Sequence, residues 1–234
     1  MSITVYYGDL NNMLLHEPEN VYKSFVKKEK TNNIGHQNLH LCPAFKDYYH
    51  NTFSIKNSRY WSLNWDGQKF YSDVITQDMF DDAVLVRNSS IGFVSFLYPR
   101  LLLIPNKSVS IELLNPTLSN SDINRKANVI QGIFDIGSHT RPLELAFTFK
   151  RINEEITCYP EDDLYYVRFN TKESIRFKKF YANDTVRKMV YDNLSQRDFT
   201  NKILPLSFWY KANSFLNLKN KIINEIKKND LLVK

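Results

Sequence analysis

The sequence predicts a mainly β protein: an antiparallel β-sandwich or jelly-roll-like domain with a C-terminal helical hairpin. Three observations lead there. Between residues 40 and 180, short segments rich in aromatic and β-branched residues recur, separated by Asn, Asp, Pro or Gly. That is the rhythm of strands and tight turns in a sandwich. Helical periodicity is scarce over the same span, which argues against a parallel α/β fold. Past Asn183 the periodicity changes to that of amphipathic helices.

Composition supports a substantial core. Of the 234 residues, 43% are hydrophobic and 14% aromatic, ample against wholesale disorder. The length suits one β-rich domain over residues 1–182 with a helical extension over 183–234, packed on it or on a partner. Glycine occurs only six times, so left-handed turn positions are expected to fall to Asn and Asp, which tolerate that geometry. Cys42 and Cys158 lie far apart without CxxC spacing and are expected as reduced, buried thiols. The opening MSITVYYGDL lacks the regions of a signal peptide, and no apolar run is long enough for a membrane span. A net charge of +6 reads as a lysine-rich soluble surface and leaves a nucleic-acid partner open.

Taken in order, Ile3 to Tyr7 reads as a short strand and KSFVKKEK (Lys23 to Lys30) as a charged patch. From LHLCPAF (Leu39 to Phe45) onward the pattern is β-like. RYWSLNW (Arg59 to Trp65) puts Trp61, Leu63 and Trp65 on one face, three apolar groups in line that read as core. GFVSFLY and LLLIP, on either side of Pro99, read as separate strands. SVSIELL places Val109, Ile111 and Leu113 on one face, and ANVIQGIF (Ala127 to Phe134) reads as one strand. LELAFTF alternates Leu143, Leu145, Phe147 and Phe149 with polar or small residues. LYYVRF places Leu164, Tyr166 and Arg168 on one side, with Tyr165, Val167 and Phe169 on the other. About ten to twelve strands are expected in all. Asn183-Asp184-Thr185 offers N-cap chemistry, with Val186, Met189, Val190 and Leu194 at helical spacing behind it. A second helix carries the stripe Phe215, Leu218, Ile222 and Ile226, opposite Lys219, Lys221 and Lys227. The stripe is the candidate partner-binding surface, and the cationic tail of Lys219, Lys221, Lys227 and Lys228 the partner-facing element.

The chemistry-bearing candidates are few. His36 and His40 have i,i+4 spacing, but no glutamate or third ligand accompanies them, and no histidine has an acid two positions on, so no metal is expected. No nucleophile elbow or phosphate-binding glycine loop occurs. RFKKF interleaves Arg176, Lys178 and Lys179 with aromatics, as single-strand binders do. The stretch GIFDIGSHTRPLEL gathers Asp135, His139, Arg141 and Glu144 as a candidate ligand-binding turn. Its structural reading is that Asp135 caps the turn through its own downstream amides. Arg141 and Glu144 would then pair only if the chain bends at Pro142.

Gly132-Ile133-Phe134-Asp135 ahead of an outgoing strand, with VRNSS (Val86 to Ser90) upstream, is similar to the jelly roll of trimeric dUTPases and dCTP deaminases. Ser138 stands where that family has its base-stacking tyrosine, and Glu161 where a later motif has glycine. The likeness implies the roll more than the activity. The segment from LCPAFKDYYHNTFSIK through WDG and GIFDIGSHTRPLELAFTFK to DDLYYVRF more closely resembles a protein group of T4-like marine and cyanobacterial phages, which shares its pattern with a bacterial domain family of unknown function. That resemblance covers residues 40 to 180 and implies a viral origin. The expectation is a non-catalytic binding, virion-associated or assembly protein, in the virion or host cytoplasm. It has other protein subunits as partners, as a homo-oligomer, and no cofactor and no membrane. The alternatives are a nucleotide-binding hydrolase on a dUTPase-like roll, a metal-dependent oxygenase on a related roll, and a single-stranded nucleic-acid binder.

Overall fold

The computed structural model describes residues 2–32, 39–138, 140–200, 202, 205, 208–209 and 217–233. Strand β1 (Ser2–Asp9) leads to a two-residue strand β2 (Glu19–Asn20), helix α1 (Val21–Asn32), a 3-10 turn (Leu39–Leu41) and helix α2 (Pro43–Tyr49). Then come β3 (Thr52–Lys56), β4 (Trp61–Trp65), β5 (Phe70–Tyr71), α3 (Gln77–Ala83), β6 (Val84–Asn88), β7 (Phe93–Pro105) and β8 (Ser110–Leu114). After α4 (Asp122–Lys126) follow β9 (Ala127–Val129), β10 (Gly132–Asp135), β11 (Leu143–Phe149), β12 (Glu154–Cys158), β13 (Asp163–Phe169) and β14 (Ser174–Lys179). Helices α5 (Asp184–Thr200) and α6 (Leu218–Lys228) close the chain.

The strands form three sheets. The first runs β14-β1-β7-β11-β9, with β6 added alongside the start of β7. The second runs β10-β8-β13-β3-β2, and the third β12-β4-β5. The mainly β, sandwich-like class is as expected, but one pairing departs from it. Strands β1 and β14 run parallel, from Ser2 opposite Ser174 to Tyr7 opposite Lys179. Gly8 permits this seam to continue: a Cβ there would sit 2.7 Å from the Phe180 carbonyl oxygen.

Alternation along the strands builds the layers. In β1, Ile3, Val5 and Tyr7 enter the central core while Tyr6 points the other way. In β7, Leu101 and Leu103 enter the central core while Leu102 and Ile104 face the opposite side. The central core also takes Trp61, Leu63 and Trp65 from β4 and the full row Leu143, Leu145, Phe147 and Phe149 from β11. Trp61 stacks on Phe96 with ring centroids 4.2 Å apart. The outer face of the first sheet is roofed by α5 and α6, through Val186, Val190, Ile222 and Ile226. The outer face of the second sheet is roofed by α1 and α2, where Val21 and Tyr49 meet Leu114 and Tyr166. The order is helix, sheet, sheets, helix.

Several local expectations change for identifiable reasons. Strand β7 takes in both runs around Pro99, because the ladder skips residues 97–100 and needs no N–H from the proline. Within that gap, the buried Asp9 carboxylate accepts the Arg100 N–H at 2.9 Å. ANVIQGIF is two strands: β9 pairs with β11 in the first sheet, and β10 with β8 in the second. A register shift between Asp163 and Tyr165 turns Leu164 into the central core with Tyr165, Val167 and Phe169. The stretch read as a charged patch is helix α1, its first turn capped by the Asn20 side chain accepting the Lys23 N–H at 3.0 Å. Cys42 is extended, but as the residue before Pro43 at the start of α2, the place where proline suits a helix. Both cysteines are free; Cys158 is buried as expected and Cys42 is exposed.

Left-handed positions follow the composition. Among the described residues, four of the five non-glycine residues with positive φ are Asn12, Asn153, Asn217 and Asp230; the fifth is Glu161. Asn183 caps α5, its side-chain oxygen accepting the Val186 N–H at 2.9 Å.

The apolar stripe of α6 is a correction. Ile222 and Ile226 are fully buried against the protein's own first sheet and α5, with Leu218 packed beside them. They are not available to a partner, and Phe215 lies outside the described residues. Burying an isoleucine contributes about 1.5–3 kcal/mol. Ile226→Ala is therefore expected to cost about 2–5 kcal/mol in urea denaturation. Lys227→Ala, on the exposed face, is expected to stay within about 0.5 kcal/mol of the parent.

Candidate functional site

The turn that gathers the most polar residues in the sequence serves itself. Asp135 accepts the Gly137 N–H at 2.9 Å and the Ser138 hydroxyl at 3.1 Å, with the Ser108 hydroxyl at 3.3 Å. Beyond Pro142 the chain bends enough for Arg141 to reach Glu144 at 3.4 Å, and Glu144 also pairs with Arg87 at 2.7 Å. Arg141 and Glu144 share a groove of about 90 Å³ that Asp135 does not line. His139 lies outside the described residues.

The cationic segment is divided by strand alternation. Arg176 and Lys178 are exposed on one face of the edge strand β14. Lys179 turns to the other face and donates to the Leu15 carbonyl at 2.9 Å. Lys178 and Lys179 line an open groove that also holds Glu17 and Asp230, whose charges oppose them. At its edge, burial and the charge of Glu17 push the Tyr7 phenol up to about 12.

A different place draws polar groups together. On the outer face of the second sheet, Glu19 of β2 lies opposite Ser54 of β3, and Ser54 lies opposite Tyr166 of β13. In the next row, Lys56 lies opposite Asp163. Three strands far apart in sequence thus lay five polar side chains side by side. The register shift after Asp163 is what lets its side chain share this face with Tyr166. Helix α1 forms one wall with Val21, Ser24, Phe25 and Lys28. Residues 118–121 and 161–163 complete a cleft of about 240 Å³.

Its interactions are ordered. Lys56 Nζ pairs with Glu19 at 2.9 Å. The Ser54 hydroxyl donates to the Asp163 carboxylate, and the Ser121 hydroxyl donates to the Asp163 carbonyl at 2.9 Å. Partial burial pushes the Glu19 carboxyl up. Hydrogen bonds from Lys56 and Ser24 and the charges of Lys56 and Lys28 outweigh it and hold Glu19 below the usual carboxylate range. Partial burial pushes the Lys56 ammonium down, but its bond to Glu19 and the charges of Glu19, Asp163 and Glu161 raise it. Burial, with the charge of Asp163, keeps the Tyr166 phenol protonated.

The consequence for pH follows from these directions. The lowered Glu19 contributes stability above the unfolded carboxylate range near about 4.3, and loses it as pH falls through its lower folded value. The raised Lys56 contributes below about 10.4 and loses it as pH rises through its higher folded value. Across neutrality both charges are fixed. A lysine held protonated is no nucleophile, and a carboxyl held ionised is no proton donor. Elsewhere, burial pushes the Cys158 thiol well above its ordinary value, which makes it inert. Among the described residues, no three His, Cys, Asp or Glu side chains group closely enough to hold a metal ion.

Comparison with known proteins returns no match. Neither a family model, nor a curated protein, nor a solved structure is similar to the chain. What the cleft can bind is therefore read from its own residues.

Glu161 stands out at its mouth. Tyr159–Asp162 is a turn closed by the Asp162 N–H on the Tyr159 carbonyl at 3.1 Å. Pro160 takes the second position, and Glu161 the third with φ of 71°, where a type II turn favours glycine. A side chain costs about 1–2 kcal/mol there. Glu161→Gly is expected to raise stability by up to about 1 kcal/mol in urea denaturation, part of the relief being offset by the freer unfolded chain. Destabilisation by this change would mean that the Glu161 carboxylate holds the cleft together.

Proposed function

We propose that the protein is a non-catalytic binding protein that takes a small polyhydroxylated ligand into the cleft between α1 and the second sheet. The observation that carries this reading is the pair Glu19–Lys56, whose opposite charges are both pinned at neutral pH. The cleft's carboxylates outnumber Lys28 and Lys56, so its field disfavours an anionic ligand. Carboxylates at Glu19, Glu161, Asp162 and Asp163 accept hydrogen bonds from ligand hydroxyls, and Ser24, Ser119 and Asn120 exchange them. Phe25 and Leu118 supply the apolar contact that a ring needs. With the viral origin that the likeness to the phage protein group implies, the role proposed is virion-associated or in assembly, in the virion or host cytoplasm, with the chain acting as a homo-oligomer.

A thermal-shift panel on the full chain tests it, with sugars and polyols set against amino acids and nucleotides. A polyhydroxylated compound is expected to bind saturably and to raise the melting temperature. At a hundred times Kd the gain is about 2.7 kcal/mol, or roughly 5–10 °C for a chain of this size. Glu161→Gln, an exposed change, is expected to weaken it, and the compound is expected back unaltered after overnight incubation. Conversion of the compound at a rate lost in Lys56→Met contradicts the reading. Hits confined to nucleotides favour the nucleotide-handling alternative instead.

A further inference from the structure

A second, smaller crevice lies where β4, α3 and β7 meet, apart from the polar cleft. Its floor is Trp61 stacked on Phe96, and its walls include Ile75, Met79 and Ala83. Its volume is about 80 Å³, far below the roughly 300–1,000 Å³ of small-molecule sites. One aliphatic side chain fits, and whatever carries that side chain must lie outside on the rim. The rim is suited to this: Tyr60 is 45% exposed, Met79 48% and Tyr159 59%. The Tyr60 and Tyr159 rings pack together with centroids 5.3 Å apart. Tyrosine, methionine and arginine are the residues that protein interfaces concentrate at their cores.

Charge decides what accompanies the apolar group. The guanidinium groups of Arg59 and Arg100 both lie 5.5 Å from the centre of the Tyr98 ring. Arg100 has a carboxylate partner, Asp82, at 2.8 Å, and also reaches the Tyr191 hydroxyl at 3.3 Å. Asp82 further accepts the Tyr98 hydroxyl. Arg59 has the Met13 sulfur at 3.2 Å and the face of Tyr98, and no carboxylate at ion-pair distance among the described residues. At the mouth of an apolar crevice Arg59 is thus a cation to which no carboxylate of the described residues comes within ion-pair distance.

We propose that the crevice docks a segment of a partner protein, which seats one aliphatic side chain on Trp61 and Phe96 and places a neighbouring Asp or Glu on Arg59. The apolar group supplies burial, and the acid supplies direction through a charge-assisted hydrogen bond. The occupant is a peptide segment because the crevice holds a side chain and no more, while the exposed aromatic rim continues the contact surface.

The test uses the full-length, isotope-labelled protein, with the Trp61 indole N–H signal as reporter. The probes are acetylated peptides Gly-Ser-Asp-Xaa-Ser-Gly and Gly-Ser-Xaa-Asp-Ser-Gly, with Xaa Leu, Ile, Val or Met, each beside its Asn counterpart. At about 5 mM peptide, enough to reveal millimolar affinity, at least one Asp peptide is expected to shift Trp61. Its Asn counterpart is expected to bind about tenfold more weakly. Arg59→Gln is expected to erase the difference between Asp and Asn peptides while the residual binding persists. Tyr60→Ala and Tyr159→Ala, both on the exposed rim, are expected to weaken every peptide without disturbing the fold. No shift at Trp61 with any peptide overturns the proposal, and so does equal binding of Asp and Asn peptides. Binding of 4-methylpentanoate alone as tightly as the best peptide also overturns it, because the site would then take a small amphiphile. The Trp61 indole N–H donates to Asn57, whose backbone bonds Glu161 and Asp162 of the polar cleft. A shift therefore counts as crevice binding only where the Met79 methyl signal moves with it, and a Trp61 shift without Met79 overturns the proposal.

Discussion

The architecture depends on strand β7 being buried on both faces. Thirteen residues long, it sends Val94, Phe96, Leu101 and Leu103 into the central core and Leu102 and Ile104 toward the C-terminal helices. A strand with one wet face needs only one partner layer. This one needs two, so α5 and α6 are part of the same packing problem as the sandwich. The parallel seam of β1 and β14 then brings the end of the β region beside its beginning. Phe180 and Ala182 carry the chain directly into the second core.

The polar cleft follows from the same layering on the other side. Helices α1 and α2 roof only part of the second sheet, packing Val21 and Tyr49 on Leu114 and Tyr166. Where that apolar contact stops, the outward row of β2, β3 and β13 carries Glu19, Ser54, Lys56 and Asp163. These groups are half-buried, so their charges act through less water than at an open surface. Glu19 and Lys56 are close enough to hold each other in their charged states.

Much of the fold was legible because it is written locally. The period-2 rows of β4 and β11, the cap at Asn183 and the use of Asn and Asp at left-handed turns depend on neighbours in sequence. What depended on distant neighbours was not legible. Helix α1 reads as a charged patch because its apolar residues are few among lysines, and what they cover, the second sheet for Val21 and Phe45 for Phe25, lies elsewhere in the chain. The stripe on α6 looks the same whether its own sheet or another protein covers it. The candidate site shows the same division. Asp135, Arg141 and Glu144 cluster in sequence and disperse into a turn and an ion pair. Glu19, Lys56 and Asp163 are scattered in sequence and meet only through strand register. The one local signal was Glu161, standing in a turn where glycine is expected.

The central proposal is that the cleft holds fixed charges and binds its ligand without transferring protons. The most direct measurement is a side-chain NMR titration of Lys56 and Glu19 in the intact protein. The expected result is that Lys56 keeps its proton beyond the ordinary lysine range of about 10.4, and that Glu19 stays ionised below about 4.3. A Lys56 that releases its proton near neutrality would contradict the account and leave the cleft with a group free to take up protons.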